Sequence, residues 1–337
     1  VAGLPWDSDR HDRMLTETLG VRPGGGGLPA KVQDAADRVR AALGDPSASL
    51  DSQPKLLRAL HRAGILATST SQWELAEYEH PAIGPLLEYK KLTRLLSANG
   101  WHWLAEWVHD GRFRPVYVPS GVVTGRWASS GGGALQLPRV LRGAVHADPG
   151  WKLIVADVAQ LEPRVLAAMS GDQALAGAAG GGDLYEQLVS SGIVTTRQEA
   201  KLALLGAMYG ATTGDSARLL PRLRRAFPRA MGLVDDAART GERGGVVSTW
   251  LGRSSPAPSE EWMQLRRDAG QVGATAAQES YARRAVADRG RFTRNFVVQG
   301  TAAEWAMAWL GGVRGRLATL PDAERPAAAS GPVFSRR

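Results

Sequence analysis

The chain has 337 residues, enough to bury one large core or two to three smaller ones. Lys and Arg total 41 against 33 Asp and Glu, which gives a net charge of +8 and a pI near 10.1 and favours a polyanionic partner. The absence of cysteine excludes disulfides and thiolate metal sites, and no apolar run reaches the roughly 20 residues of a membrane-spanning helix.

No signal-peptide pattern opens the chain, so a cytoplasmic location is expected; the start at Val1 reads as that of a fragment or a processed product. Residues 1–50 read as a polar lead-in. Within them the four glycines of residues 24–27 mark a linker, and residues 31–43 a solvated surface helix. Residues 51–110 are expected to be mostly helical. Asp51 or Ser52 caps a helix carrying Leu56, Leu57 and Leu60, and Ser71 with Glu74 has capping-box spacing. Residues 85–108 read as one long helix with Leu86, Leu92 and Leu95 on its apolar stripe. Lys90, Lys91 and Arg94 lie off that stripe, as phosphate contacts or as a solvated face. Trp101, Trp103 and Trp107 are read as packing residues.

Residues 113–119 alternate like a strand. A polar loop follows with Thr124, Gly125, Arg126, three glycines and Leu135–Gln136. Such a loop can approach a nucleic-acid backbone closely. Residues 153–156 are wholly apolar, the pattern of a strand buried on both faces, and Asp157 ends the run. Pro163 then fits the first turn of a helix carrying Leu161, Val165, Leu166 and Met169. Asp157 thus reads equally as a helix N-cap or as a metal-holding carboxylate on a strand-to-helix turn.

Residues 183–189 form a short helix. Thr196 and Glu199 start the next, on which Arg197, Lys201, Leu205 and Tyr209 recur every fourth residue. Each such step advances about 40°, so the four share one face about 18 Å long. Two cations near a helix N-terminus oppose the macrodipole unless an anion lies there, and a triphosphate along this face resolves the conflict. Residues 215–290 are helical and basic, with a strand-like piece at 246–253 and a Pro/Ser loop at 254–259. Arg291, Asn295 and Gln299 again repeat by four, a set that suits minor-groove acceptors. Gly300, followed by a capping pair at Thr301 and Glu304, makes one continuous helix less expected there. From residue 311 the chain is rich in Gly, Pro and Ala.

Together these segments resemble the family A, polymerase-I-type DNA polymerases. Residues 157–164, Asp-Val-Ala-Gln-Leu-Glu-Pro-Arg, are similar to the family's first palm motif. Arg197, Lys201, Leu205, Tyr209 and Gly210 resemble its fingers-helix motif. Thr124-Gly125-Arg126 with Leu135-Gln136 resembles its primer–template segment, and Arg291, Asn295, Gln299, Gly300 and Thr301 the segment after the fingers. The resemblance covers about residues 48–310 and looks closest to the actinobacterial form with an exonuclease-like region ahead of the polymerase.

The resemblance implies an α+β right-hand fold, mostly helical with an antiparallel palm sheet. Its divisions would be a lead-in at 1–47, thumb at 48–120, first palm part at 121–172, fingers at 173–285 and a truncated second palm part at 286–337. It implies a monomer acting on primer–template DNA and deoxynucleoside triphosphates near the bacterial nucleoid, with two Mg2+ ions. Asp157 would ligate both ions, with the Val158 carbonyl assisting. Gln160, Glu162, Arg197, Lys201, Leu205 and Tyr209 would line the nucleotide site, with Glu162 as the gate against a 2′-hydroxyl and Lys201 as the proton donor to pyrophosphate. Thr124, Arg126, Gln136, Arg291, Asn295 and Gln299 would contact DNA.

There are departures. Leu205 replaces an aromatic, Tyr185 stands where many members have a phosphate-binding His, and no His-Asp-Glu triplet follows to supply the second metal ligand. The chain is therefore read as truncated and expected to extend primers little and to aggregate. A non-catalytic DNA-binding remnant and a single-subunit RNA polymerase are the alternatives, and Glu162 argues against the latter.

Overall fold

The computed structural model describes residues 3–210 and 214–320. Residues 321–337, the end of the expected second palm part, lie outside them. Two compact units divide the chain: Val1–Tyr117 with Ser129–Ile154, and Val118–Ala128 with Val155–Pro326.

The first unit begins with strand β1 (Leu4–Pro5) and helices α1 (Ser8–Leu19) and α2 (Ala30–Leu43). These are not a lead-in. Leu15, Leu19, Val32, Ala35, Ala36 and Val39 fall at helical spacing on two apolar faces and enter the same core as Leu56, Leu60, Leu86 and Tyr89. Only the stretch between the two helices behaves as a linker. Helix α3 (Gln53–Arg62) starts at Ser52 as expected, while α4 (Gln72–Leu75) is a single turn capped by Ser71. The long helix expected over 85–108 is two, α5 (Ile83–Asn99) and α6 (Trp101–Trp107), parted at Gly100. Lys90 is no phosphate contact: its ammonium is half-buried and donates to the Thr70 carbonyl, and burial lowers its pKa.

Strands β2 (Val108–His109) and β3 (Arg112–Phe113) join β1 in an antiparallel sheet of order β1-β3-β2. Pro115, which lacks a backbone donor, separates β3 from β4 (Val116–Val118), so the expected strand over 113–119 is split. The tryptophans pack, as read from the sequence. Trp103 lies against Trp6 and Phe113 and donates to the Gly132 carbonyl at 2.9 Å, and Trp101 donates to Asp12. Buried His11 accepts from the Trp6 indole through Nδ1 and faces the Asn99 carbonyl with Nε2 at 3.0 Å; burial lowers its pKa. Gly131, at the end of β5 (Ala128–Gly131), and Gly132 serve this aromatic core, since the rings of Trp107 and Phe113 fill the space a side chain there would need.

Residues 153–156 are the largest departure. They form no strand, and Ile154 and Val155 are 93% and 91% exposed. An apolar strand is stable only with backbone partners at its edges and side chains over its faces, and none of the described residues supplies them. Helix α7 (Leu161–Ser170) follows, with Pro163 in its first turn, but its N-cap is Gln160 in the left-handed region rather than Asp157.

The second unit is helical: α8 (Gln173–Gly180), α9 (Leu184–Ser190), α10 (Arg197–Tyr209), α11 (Gly214–Ala226), α12 (Pro228–Glu242), α13 (Glu260–Ala269) and α14 (Ala276–Ala318). Its core joins Leu166, Leu175, Leu188, Leu204, Met208, Phe227, Val234 and Val298. Each such side chain contributes roughly 2 kcal/mol on leaving water. Asp172 caps α8 and also accepts from the Arg229 and Ala230 N–H groups at 3.1 Å, which ties α8 to the start of α12.

The break expected at Gly300 does not occur, nor does helix end at 311; α14 runs unbroken for 43 residues. Gly300 is there because the loop over 246–253 crosses it: a Cβ would lie 2.5 Å from the Thr249 methyl. Thr301 and Glu304 are not a capping box. They anchor that loop, Thr301 accepting from the Trp250 N–H at 3.0 Å and Glu304 from the Thr249 hydroxyl at 2.7 Å. The loop itself carries only an isolated bridge between Ser248 and Ser254.

Candidate functional site

Helix α10 sets the frame. Thr196 caps it, accepting from the Glu199 N–H at 3.1 Å, while the Glu199 carboxylate turns to Thr195 instead of closing the box. Ala200, Ala203, Leu204, Ala207 and Met208 are buried, while Arg197, Lys201 and Tyr209 are exposed. Leu205, on the same row, is half-buried and packs on the core.

At the helix's C-terminal end the chain turns at Gly210, with φ +73°. A side chain there would be strained and would meet the Arg291 Cγ at 2.9 Å, so glycine lets α14 come close to Tyr209. Tyr209 donates its phenol proton to Glu162 Oε2 at 2.6 Å, and Arg126 pairs with the other carboxylate oxygen. Burial first, then the Glu162 bond, push the Tyr209 phenol up to about 12. Gln299 reaches the same phenol and accepts from the Thr124 hydroxyl at 2.8 Å. Thr124, Arg126, Glu162, Tyr209 and Gln299, drawn from four separate stretches of sequence, therefore form one cluster. Glu162 is its centre, with a side chain only 11% exposed. A carboxylate fixed from two sides is a rigid wall beside whatever lies against Tyr209.

At the N-terminal end Arg197 is engaged. Its Nε and Nη2 donate to Asp183 Oδ2 at 2.9 and 2.7 Å, Glu186 lies 3.6 Å away, and its guanidinium lies over the Tyr185 ring. Asp183 also caps α9, accepting from the Tyr185 N–H at 2.9 Å, and accepts from Gln160 Nε2 at 2.7 Å. The Gln160 carbonyl oxygen in turn accepts from the Leu184 N–H. Burial works against the Asp183 charge, but the bonds from Arg197, the Tyr185 N–H and Gln160 outweigh it and hold this carboxyl below the ordinary range. The same hydrogen bond raises Arg197. Tyr185 is buried, and burial raises its phenol as well. Sequence spacing marks Asp183 only as the start of a short helix; its link to Arg197 is tertiary and leaves no local signal.

The remaining predicted residues are placed as follows. Asp157 is exposed on the extended stretch before α7, and Val158 is half-buried. No cluster of three His, Asp or Glu able to hold a metal occurs among the described residues. One carboxylate and one carbonyl supply part of the roughly six oxygen positions of a magnesium ion, whose remaining places water and substrate phosphates commonly take. Arg291 pairs with Asp288, and Asn295 is half-buried on the face of α14 that carries Gln299. Gln136 is exposed in a 3-10 turn (Ala134–Gln136) of the other unit. No helix among the described residues is long and apolar enough to cross a membrane.

These units are shared with a solved structure. The POL domain of Pol1 from M. smegmatis, in complex with DNA primer-template and dNTP, matches 94% of this chain and 58% of its own, with a TM-score of 0.71. At 20% identity it is the fold, that of a polymerase domain, that the two have in common. The family model of DNA polymerase family A matches residues 53–323, and the chain belongs to that family. It is 30% identical over 283 residues to DNA polymerase I of Chloroflexus aurantiacus, covering 76% of this chain and 28% of that protein. It is 27% identical over 271 residues to the thermostable DNA polymerase I of Thermus thermophilus, covering 68% and 32%. The chain thus spans about a third or less of the length of these relatives.

Proposed function

We propose that the chain is the nucleotide-selecting part of a template-directed DNA polymerase, which joins a deoxynucleoside triphosphate to a primer 3′ end. One observation carries this reading: Arg126, Tyr209, Gln299 and Thr124 gather about the half-buried Glu162 carboxylate at one end of the helix whose other end presents Arg197 and Lys201. The primer 3′-hydroxyl gives its proton to solvent as its oxygen bonds to the α-phosphorus, the bond to the bridging oxygen breaks, and pyrophosphate leaves. Arg197 and Lys201 hold the phosphates, and Lys201 gives a proton to the leaving oxygen. Glu162, fixed by its two partners, blocks a 2′-hydroxyl, and Tyr209 bounds the nascent pair. Arg126, Gln299, Asn295, Arg291 and Thr124, with Gln136, contact the primer–template. Residues 48–120 would be thumb, 121–172 and 286–337 palm, and 173–285 fingers. The protein would act as a monomer at the bacterial nucleoid.

Family A membership implies divalent metal use, with Asp157 as one ligand. Because the described residues do not complete such a site, the roles above are those of the protein groups alone. That same isolation of Asp157 favours the second reading, a DNA-binding remnant without catalysis. Primer extension with magnesium separates the two: incorporation that Lys201→Ala reduces supports the polymerase, and DNA binding without any incorporation supports the remnant.

A further inference from the structure

Arg197 is half-exposed, yet the Nε and Nη2 edge of its guanidinium is already occupied. That edge is the one a phosphate would take bidentately. The occupant, Asp183, is held in place independently: its Oδ1 accepts both the Tyr185 N–H that it caps and the Gln160 amide. Asp183 therefore stays where it is when Arg197 leaves. Glu186, at 3.6 Å, adds negative charge to the same guanidinium, and Lys201 one turn further along remains exposed. A fixed carboxylate in the phosphate's position is an internal competitor for the ligand.

We propose that Asp183 is a positioning residue that holds Arg197 in the ligand-free protein and gives it up to the incoming triphosphate, so that it weakens and tunes triphosphate affinity. The inference rests on the reading of the Arg197 and Lys201 face as the phosphate site. No bond is made or broken; one ion pair is exchanged for another. The hub also reaches Gln160, two residues from Glu162, so the exchange takes place beside the gate.

Asp183→Asn separates charge from structure, because Asn caps helices as well as Asp does and still accepts from Gln160. The expected result is that dATP and inorganic tripolyphosphate bind about two- to five-fold more tightly to the variant, the fold-change that a half-exposed ion pair supplies. Binding of deoxyadenosine, which carries no phosphate, should stay unchanged; a merely structural defect would weaken all three. In an Arg197→Ala background, Asp183→Asn should change nothing. Asp183→Ser, which keeps a capping oxygen but cannot reach Arg197, should reproduce the tightening if the Asn variant folds poorly.

The two levels fail differently. If Arg197→Ala leaves tripolyphosphate binding intact, the face is not the phosphate site and the functional reading falls. If Arg197→Ala weakens binding but Asp183→Asn leaves it equal or looser, the competitor role is overturned and Asp183 instead presents Arg197 to the phosphate.

Discussion

Replacing Glu162 by Ala should loosen the second unit and unlock Tyr209. The substitution removes a short charge-assisted bond from Tyr209, at 2.6 Å, and the ion pair with Arg126. A hydrogen bond to a charged group contributes about 1.5–3 kcal/mol when dry. Here the Tyr209 ring is 36% exposed and the Arg126 side chain 26%, so each bond is discounted to about 1 kcal/mol. A loss of about 2 kcal/mol corresponds to a melting point lower by about 4–8 °C for a unit of this size. Calorimetry reads that shift. Absorbance near 295 nm reads the phenol, whose titration should fall from about 12 toward the ordinary value near 10. The sign follows from linkage. A phenol raised in the folded state stabilises fully below pH ~10 and loses that contribution between about pH 10 and 12. Tyr209→Phe should therefore remove part of the alkaline destabilisation in that window. A melting point unchanged within a degree, together with an unchanged Tyr209 titration in Glu162→Ala, would refute the cluster as the source of either effect.

Other consequences follow from the same geometry. Lys201→Ala should weaken triphosphate binding several-fold while leaving primer–template affinity nearly unchanged; an equal drop in both would make α10 a DNA contact instead. DNA binding should fall steeply with salt, since the cations of a chain with a net charge of +8 meet phosphates, and a flat plot of log affinity against log salt would exclude that. Ile154→Lys with Val155→Lys should reduce aggregation in light scattering with a stability change under about 1 kcal/mol, because both side chains are almost fully exposed. A large loss of stability would mean that the stretch is packed.

Local signals carried most of the helices. Ser71 and Thr196 cap, and Ser52 precedes, helices where a short polar residue stands ahead of helical spacing. What failed needed information from outside the local window. Residues 153–156 have the composition of a buried strand, but a strand exists only with partners. Gly300 looked like a helix break, but the Thr249 loop demands a residue without a side chain there. Helices α1 and α2 looked polar because their buried faces are narrow, Leu15 and Leu19 on the first and the small residues Val32, Ala35, Ala36 and Val39 on the second. At the site, the spacing of Arg197, Lys201 and Tyr209 was legible from helix geometry alone. The meeting of Arg126, Glu162 and Tyr209, 36 and 47 residues apart, was not; only likeness to a family suggested that these segments belong together. Asp183 shows the limit in the other direction: the helix that starts there was readable, and its hold on Arg197 was not.

The central claim is that these residues select a nucleotide against a template, and a ternary complex tests it without requiring turnover. A primer ended in a dideoxynucleotide is annealed to a template and bound to the protein in magnesium, and dissociation of the DNA is followed with each of the four deoxynucleoside triphosphates in turn. The account predicts that only the triphosphate complementary to the next template base slows dissociation, that the ribonucleotide of the same base does not, and that Lys201→Ala abolishes the effect. Equal effects of all four, or none from any, would contradict it.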